Sequence, residues 1–258
     1  MKSKNFFGTP PSNQNAIDIF EGQWSSYFPD SYETQTGGSA GLFEDERLLW
    51  AQENLGGFQN KRILELGPLE GGHSFMIEQM GAEQIDSIEA NSEAYLRCLV
   101  TKEICKLRRT NFLLGDFTRH IETSNTHYHT GIACGVLYHQ RDPINLIRLL
   151  ASCCDSLFIW THYFEKEAIS KIEHLKGKFA HSEDVSCEGY EHTLHHYEYG
   201  KALEWNGFCG ADYASACWLS EDDILNGLQY FGYEITAKKY EPNPNGAAIW
   251  LSCKKQAQ

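Results

Sequence analysis

Between Ile63 and Ser74 the chain reads Ile-Leu-Glu-Leu-Gly-Pro-Leu-Glu-Gly-Gly-His-Ser, an apolar run that passes through glycines into residues that suit a helix. Glycines let a backbone approach a ligand closely, and the first turn of a helix offers unpaired N–H groups to a carboxylate. The spacing is not the G-x-G-x-x-G of a dinucleotide-binding loop. A tight strand-to-helix turn with no ligand is the competing reading, since any doubly wound sheet needs such turns. Glu89 closes the next apolar run, about 20 residues beyond the loop, where a carboxylate can accept both hydroxyls of a ribose. Further on, two apolar runs end in Leu137, Tyr138 and His139 and in Thr161, His162 and Tyr163. A neutral imidazole can take a proton from a hydroxyl, amine or carboxyl group, so His139 and His162 are candidate bases. For His139 the alternative is a loop hydrogen bond that caps the helix opening at Pro143.

The elements that must position these groups alternate. Strand-like runs at Arg62–Leu66, Ile85–Glu89, Asn111–Asp116, Thr130–Gly135 and Ser156–Trp160 are separated by helical stretches at Ser74–Met80, Ser92–Leu107 and Pro143–Cys153. Asn91 or Ser92 can cap the second of these helices, and proline sits in the first turn of the third. Strands joined this way by crossover helices lie parallel. Ser220 then opens an acidic first turn that runs to Tyr230, and two strand-like runs, Tyr233–Ala237 and Ala247–Cys253, flank Pro242-Asn-Pro-Asn-Gly246 as a hairpin. The expected fold is α/β: a Rossmann-like, seven-stranded, mostly parallel sheet with a C-terminal antiparallel hairpin, flanked by helices. Residues 1 to about 40 read as loop-like, with Trp24, Tyr27 and Phe28 as an aromatic group. Leu42 to Asn54 reads as an amphipathic helix stopped by Gly56 and Gly57.

Composition narrows the classes of function. With 41% hydrophobic residues, 258 residues can bury one large core, and no apolar run approaches the ~20 residues a membrane helix needs. Residues 1–14 carry no signal-peptide core, so a cytoplasmic location is expected. The nine cysteines are odd in number, include the adjacent pair Cys153 and Cys154, and form no C-x-x-C; they read as buried thiols. A net charge of −13 would repel a phosphate backbone, and the one dense basic stretch, Lys102 to Arg109, reads as a solvated helix end.

The glycine loop resembles the E-x-G-x-x-x-G of class I S-adenosylmethionine-dependent methyltransferases, with Glu65, Gly67 and Gly71 at the matching positions. Gly135-Val-Leu-Tyr-His-Gln-Arg-Asp-Pro143 is similar to the G-V-L-Y-H-x-x-x-P signature of the tRNA wobble-uridine carboxymethyl-transferring enzyme and its relatives. The resemblance covers roughly residues 63–160, with the hairpin end consistent. It implies S-adenosyl-L-methionine as cofactor, held by Glu65, Gly67, Leu69, Gly71, Ser74, Glu89, Ala90, Asp116, Phe117, Cys134 and Gly135. It further implies that Asp116 accepts from the adenine amino group and that Phe117 packs by the ring; Asp116 as a helix N-cap is the alternative. Catalysis would fall to His139 and His162, with Tyr138 shaping the methyl pocket. The expected acceptor is a small molecule, with neither nucleic acid nor membrane as partner and a homodimer left open. Two alternatives are a tRNA-modifying transferase using a carboxylated cofactor and a non-catalytic cofactor-binding subunit.

Two regions lie outside the resemblance. Residues 1–57 are expected to form an N-terminal lid, with the transferase domain at 58–258 and an insertion at about 163–218 covering the acceptor pocket. Within it, Glu188 to Tyr199 is dense in His, Tyr and Glu. His192, His195 and His196 show neither an H-E-x-x-H pair nor paired cysteines, so no metal is expected and the segment reads as an exposed strand or hairpin forming a pocket wall. Trp205, Phe208, Tyr213 and Trp218 extend this aromatic region or form the insertion's own small core.

Overall fold

The computed structural model describes residues 6–204, 210 and 213–256. The N-terminal segment contains α1 (Asn13–Asp18), whose first turn is capped by the Ser12 hydroxyl, and α2 (Glu46–Asn54). The helix expected from Leu42 begins four residues later because Asp45 caps it, accepting from Arg47 N, and Leu42–Glu44 forms a separate 3-10 turn. The first 40 residues are less loop-like than expected. Trp24 and Phe28 lie in T-shaped contact 5.5 Å apart, and Phe28 and Phe43 lie 4.6 Å apart. Together with Ile17 they bury against Cys98, Ile104, Leu107 and Phe112.

The alternating unit follows: β1 (Arg62–Leu66), α3 (Gly72–Gln79), β2 (Gln84–Glu89), α4 (Ser92–Cys105), β3 (Thr110–Leu114), α5 (Phe117–Thr123), β4 (Tyr128–Cys134), α6 (Pro143–Cys153) and β5 (Cys154–His162). After β5 come α7 (Lys166–Lys171) and three strands, β6 (His181–Cys187), β7 (Tyr190–Glu198) and β8 (Ser215–Trp218). The chain closes with α8 (Glu221–Tyr230), β9 (Tyr233–Glu241) and β10 (Ala248–Lys255). Seven strands form one sheet in the order β3-β2-β1-β4-β5-β10-β9. The first five are parallel, and β10 is antiparallel to both β5 and β9. A Rossmann-like, seven-stranded, mostly parallel sheet with a C-terminal antiparallel pair is therefore the architecture. Chain direction across the sheet reverses between β1 and β4, and crevices at such switch points receive ligands beyond the carboxyl ends of the strands.

Side-chain alternation along the strands loads both faces of this sheet. On one face Leu64, Leu66, Leu157, Ile159 and Leu251 pack with Ile147 and Leu150 of α6 and Leu228 of α8. On the other, Ile63, Ile85, Phe158 and Trp250 pack with Leu48 of α2 and Ile77 of α3. β6, β7 and β8 form a separate antiparallel sheet in that order. Cys98, Cys105, Cys153, Cys154, Cys217 and Cys253 are buried free thiols. No described helix is long and apolar enough to cross a membrane.

Candidate cofactor crevice and acceptor wall

The loop between β1 and α3 occupies the switch point. Gly67 has φ of +62°, and a Cβ there would lie 2.8 Å from Val136 Cγ1. Gly71, at φ +82°, would set a Cβ 3.0 Å from the Phe112 ring. Both positions favour glycine for their backbone conformation, and a Cβ at either would crowd a neighbouring side chain. Leu69 adopts φ of +58° without that freedom, a local strain held by its surroundings. One support is Glu89, at the end of β2, whose Oε2 accepts from Leu69 N at 3.1 Å while Oε1 accepts from Asn91 N at 2.9 Å. A carboxylate offers about four lone-pair sites, so two hydroxyl donors can still be added to this pair of amides.

Glu65 lies beneath the loop, 1% exposed. Its Oε2 accepts from the hydroxyls of Ser87, at 2.6 Å, and of Ser74, while Oε1 is buried with no partner among the described residues. Burial pushes the Glu65 carboxyl up, partly offset by His73 and by the two hydroxyls. An orphaned carboxylate oxygen under a glycine loop fits a cationic donor such as the ammonium of a methionyl group. Burial likewise raises Glu89, against the pull of backbone amides at Asn91, Leu69 and Ala90.

Asp116 takes the role that its sequence context left as an alternative. It is exposed and caps α5, with Oδ1 accepting from Thr118 N at 2.7 Å and from the Thr118 hydroxyl at 2.6 Å. Phe117 packs half-buried against the core on the α6 side. Cys134 ends β4 opposite Trp160 of β5, and Gly135, at φ +84°, donates its N–H to the Trp160 carbonyl at 2.9 Å. Ala90 is exposed between Glu89 and the helix cap Asn91.

Two further groups reach this crevice without a sequence signal. Glu70, fully buried in the loop, accepts from Ser25 N, Ser26 N at 2.8 Å and the Ser26 hydroxyl at 3.0 Å, and so ties the N-terminal segment to the loop. Asp45 accepts from Arg47 Nε at 2.9 Å and pairs with His73 Nε2 at 2.8 Å. Burial alone would raise the Asp45 carboxyl, but His73 and Arg47 hold it well below the usual carboxylate range. Burial opposes the charged His73, yet Cys134 and Asp45 outweigh it and raise the imidazole above its ordinary value. Arg47 also lies 4.5 Å over the Trp160 ring. The partners are 28 residues apart in one pair and 45 in another, so only the fold could reveal them.

At the neighbouring strand ends, a 3-10 turn over Leu137–His139 follows β4, and β5 extends to His162. The Tyr138 ring lies 4.8 Å from His162 and 5.9 Å from Trp160. His162 is 5% exposed and stacks on Trp218 at 5.2 Å with an 8° interplanar angle. Its Nδ1–H donates to the Gly246 and Ala247 carbonyls at 3.2 and 3.3 Å, which makes Nε2 the lone-pair nitrogen of the neutral ring. Burial lowers the His162 pKa despite those carbonyls, keeping the ring neutral. His139 pairs through Nδ1 with the Tyr199 hydroxyl at 2.7 Å, and burial and His162 depress its pKa.

Three of the six strand-end residues do not face this spot. Leu137 is 1% exposed in the α6-side core, Tyr163 packs on that same core, and Thr161 is fully buried with its hydroxyl on the His162 carbonyl. Successive strand residues point to opposite faces, so the strand that presents His162 must turn Thr161 and Tyr163 away.

Part of the 163–218 segment packs on His162 through Trp218. Trp218 stacks on Tyr197 at 5.4 Å and meets Phe179 at 5.0 Å, and its buried Nε1 has no partner among the described residues. The three histidines of β7 do not converge. His195 stacks on Phe164 at 3.6 Å on the Trp218 side, whereas His192 and His196 lie on the other face, His192 stacked on Tyr190. Tyr213 receives the Arg141 guanidinium at 3.9 Å over its ring. Trp205 and Phe208 lie outside the described residues.

No protein-family model matches the sequence, and no curated protein does. Solved structures do match. The N-terminal domain of EvdMO1, crystallised with SAH and D-fucose, is 17% identical over 95% of both chains with a TM-score of 0.68. Against the whole of EvdMO1, this chain covers 46% of that chain's length. Magnesium protoporphyrin IX methyltransferase from Synechocystis PCC 6803, with bound SAH, is 16% identical over 82% of this chain and 81% of its own, with a TM-score of 0.57. An S-adenosylmethionine-dependent methyltransferase from Mesorhizobium loti is 12% identical over 83% of this chain and 100% of its own, with a TM-score of 0.58. Strand order, the antiparallel closing pair and these likenesses agree: the chain has the fold of the class I S-adenosylmethionine-dependent methyltransferases.

Proposed function

We propose that this protein is an S-adenosylmethionine-dependent methyltransferase acting on a small polar acceptor. The observation that carries the reading is the buried Glu65 carboxylate with an orphaned oxygen beneath a loop whose Gly67 and Gly71 hold positive φ with side chains of Val136 and Phe112 crowding the place of a Cβ. In this assignment the loop from Gly67 to Ser74 holds the methionyl tail, Glu65 faces its ammonium, Glu89 accepts the ribose hydroxyls, and Ala90, Asp116 and Phe117 border the adenine. Cys134 and Gly135 floor the crevice. When bound, the cofactor supplies a methyl group made electrophilic by its sulfonium.

The chain's own residues then orient the acceptor, exclude water and take a proton. His162 Nε2 is the assigned base: its ring is neutral, its tautomer is set by two backbone carbonyls, and it lies against Trp218 and Tyr138. It takes the proton from an acceptor hydroxyl or amine as that atom bonds the methyl carbon. His139, locked to Tyr199, supports the same wall. The Trp218 Nε1–H and the half-buried rings of Tyr138 and Tyr197 suit a ring-shaped, hydroxyl-bearing molecule, and D-fucose accompanies the EvdMO1 domain in its crystal. In this reading the insertion at 163–218 covers the acceptor pocket and residues 1–57 close over the cofactor loop through Glu70.

A tRNA substrate is favoured only by the Gly135–His139 run. Three of the four basic side chains in the dense stretch have local partners: Arg109 donates to the Ala82 carbonyl at 3.0 Å, Lys102 to that of Thr110 and Lys106 to Glu103. Isothermal titration with S-adenosylmethionine tests the assignment, with one saturable site per chain expected. No heat with that compound, alongside binding of a nicotinamide dinucleotide, overturns it.

A further inference from the structure

The insertion carries a cluster that the proposed transfer reaction does not use. In the β6–β7 pair, His181 stands directly opposite His196, and Glu183 follows two residues along β6 on the same face. One ligand atom from each of these three side chains can be chosen so that all lie within 4.8 Å of one another. His196 Nε2 is 2.9 Å from Glu183 Oε1, and the two imidazole centroids are 4.9 Å apart. Donors bound tetrahedrally at zinc distances stand about 3.3 Å apart, so small side-chain adjustments close this cluster around an ion.

The donor types select among metals. Two imidazoles and a carboxylate suit zinc and its neighbours, whereas magnesium and calcium take oxygen ligands. Behind His196, the Cys217 sulfur lies 3.7 Å from Nδ1, the ring nitrogen turned away from Glu183. That contact orients Nε2 toward the cluster, as outer partners of ligating histidines do. The location also gives an ion something to do. β6 is an edge strand, its residues His181–Asp184 are all exposed, and its apolar anchors, Val185 and Cys187, lie toward the other end. The His181 end therefore lacks hydrophobic purchase. The cluster faces away from Trp218, which pairs with His195 in the alternate register and stacks on His162.

We propose that His181, Glu183 and His196 form a site for a divalent transition ion of the zinc type, which clamps the edge strand β6 onto β7. The ion is structural, stands apart from the methyl-transfer centre and leaves one coordination position to water. Linear spacing points away from such a site because its first ligands lie on β6, before the histidine-dense segment.

Chelator-stripped full-length protein, titrated with Zn2+ and in parallel with Co2+, tests this directly. Expected are one equivalent bound per chain, a tetrahedral Co2+ absorption band and a rise in melting temperature. His181→Ala and His196→Ala should each weaken binding more than about tenfold, with loss of that rise. His127→Ala, an exposed histidine outside the insertion, should leave binding unchanged. Far-UV circular dichroism identifies any variant that fails to fold, and Glu183→Gln then provides a milder ligand loss. Absence of a saturable single site, or undiminished affinity in folded His181→Ala and His196→Ala, overturns the proposal. None of these readouts depends on S-adenosylmethionine, so their failure leaves the transferase reading intact.

Discussion

The two halves of the crevice differ in how much of their support is local. On the proposed cofactor side local and distant supports are mixed: Glu89 is held by Asn91 N and Asp116 by Thr118, each two residues on, whereas Glu89 also accepts from Leu69 N, 20 residues back, and Glu70 from Ser25 N, 45 residues back. On the proposed acceptor side the hydrogen bonds of both histidine rings are long-range, with His139 meeting Tyr199 across 60 residues and His162 held by carbonyls 84 and 85 residues away. A ligand common to a whole fold can be received by short turns that recur with it. An individual acceptor needs walls from separate segments, which can change without disturbing the sheet.

If that division is right, damage to each side should separate in kinetics. The largest effect is expected from His162→Ala, which should lower kcat by about 10²–10⁴-fold, the usual worth of a positioned base, with S-adenosylmethionine affinity unchanged by titration. Equal loss of affinity would break the comparison. The pH profile sharpens it: because burial lowers the His162 pKa, the neutral base persists as pH falls below 6.5, and the acidic limb of kcat should lie under that value. An acidic limb above 6.5 would remove His162 from the role.

Next in size, Glu89→Ala should weaken S-adenosylmethionine roughly tenfold to a hundredfold, about 1.4–2.7 kcal/mol, from lost hydrogen bonds to a charged group. Isothermal titration reads this directly, and unchanged affinity would detach Glu89 from the ribose. The smallest effect separates the two readings of Asp116. Removing a helix cap costs about 1 kcal/mol of stability, so Asp116→Ala should lower the unfolding free energy by about that amount, read as a lower denaturation midpoint with unchanged slope. If affinity falls tenfold as well, the side chain reaches the adenine; if only stability changes, its work ends at the α5 cap.

Legibility followed the same boundary. The bounds of β1 and α6 were readable because glycine, proline and an uninterrupted apolar run mark them locally. β5 was read four residues short because a strand buried on both faces has no alternation to mark its ends. α1, only six residues long, falls below the window in which helical periodicity shows. β6 and β8 were invisible alone: the first is polar along most of its length and the second spans four residues, so each exists by pairing with β7.

By itself, then, the amino-acid order determined the alternation of strands and helices, the closing hairpin, the glycine loop and the acid that ends β2, since each depends on periodicity or on a residue's own backbone preference. Tertiary structure decided which of Thr161, His162 and Tyr163 faces the crevice, that Asp45 and His73 share a charge, that Glu70 binds the N-terminal segment, and that His181 stands beside His196. Those outcomes depend on strand register and on packing between distant segments, where a shift of one residue exchanges the two faces of a strand.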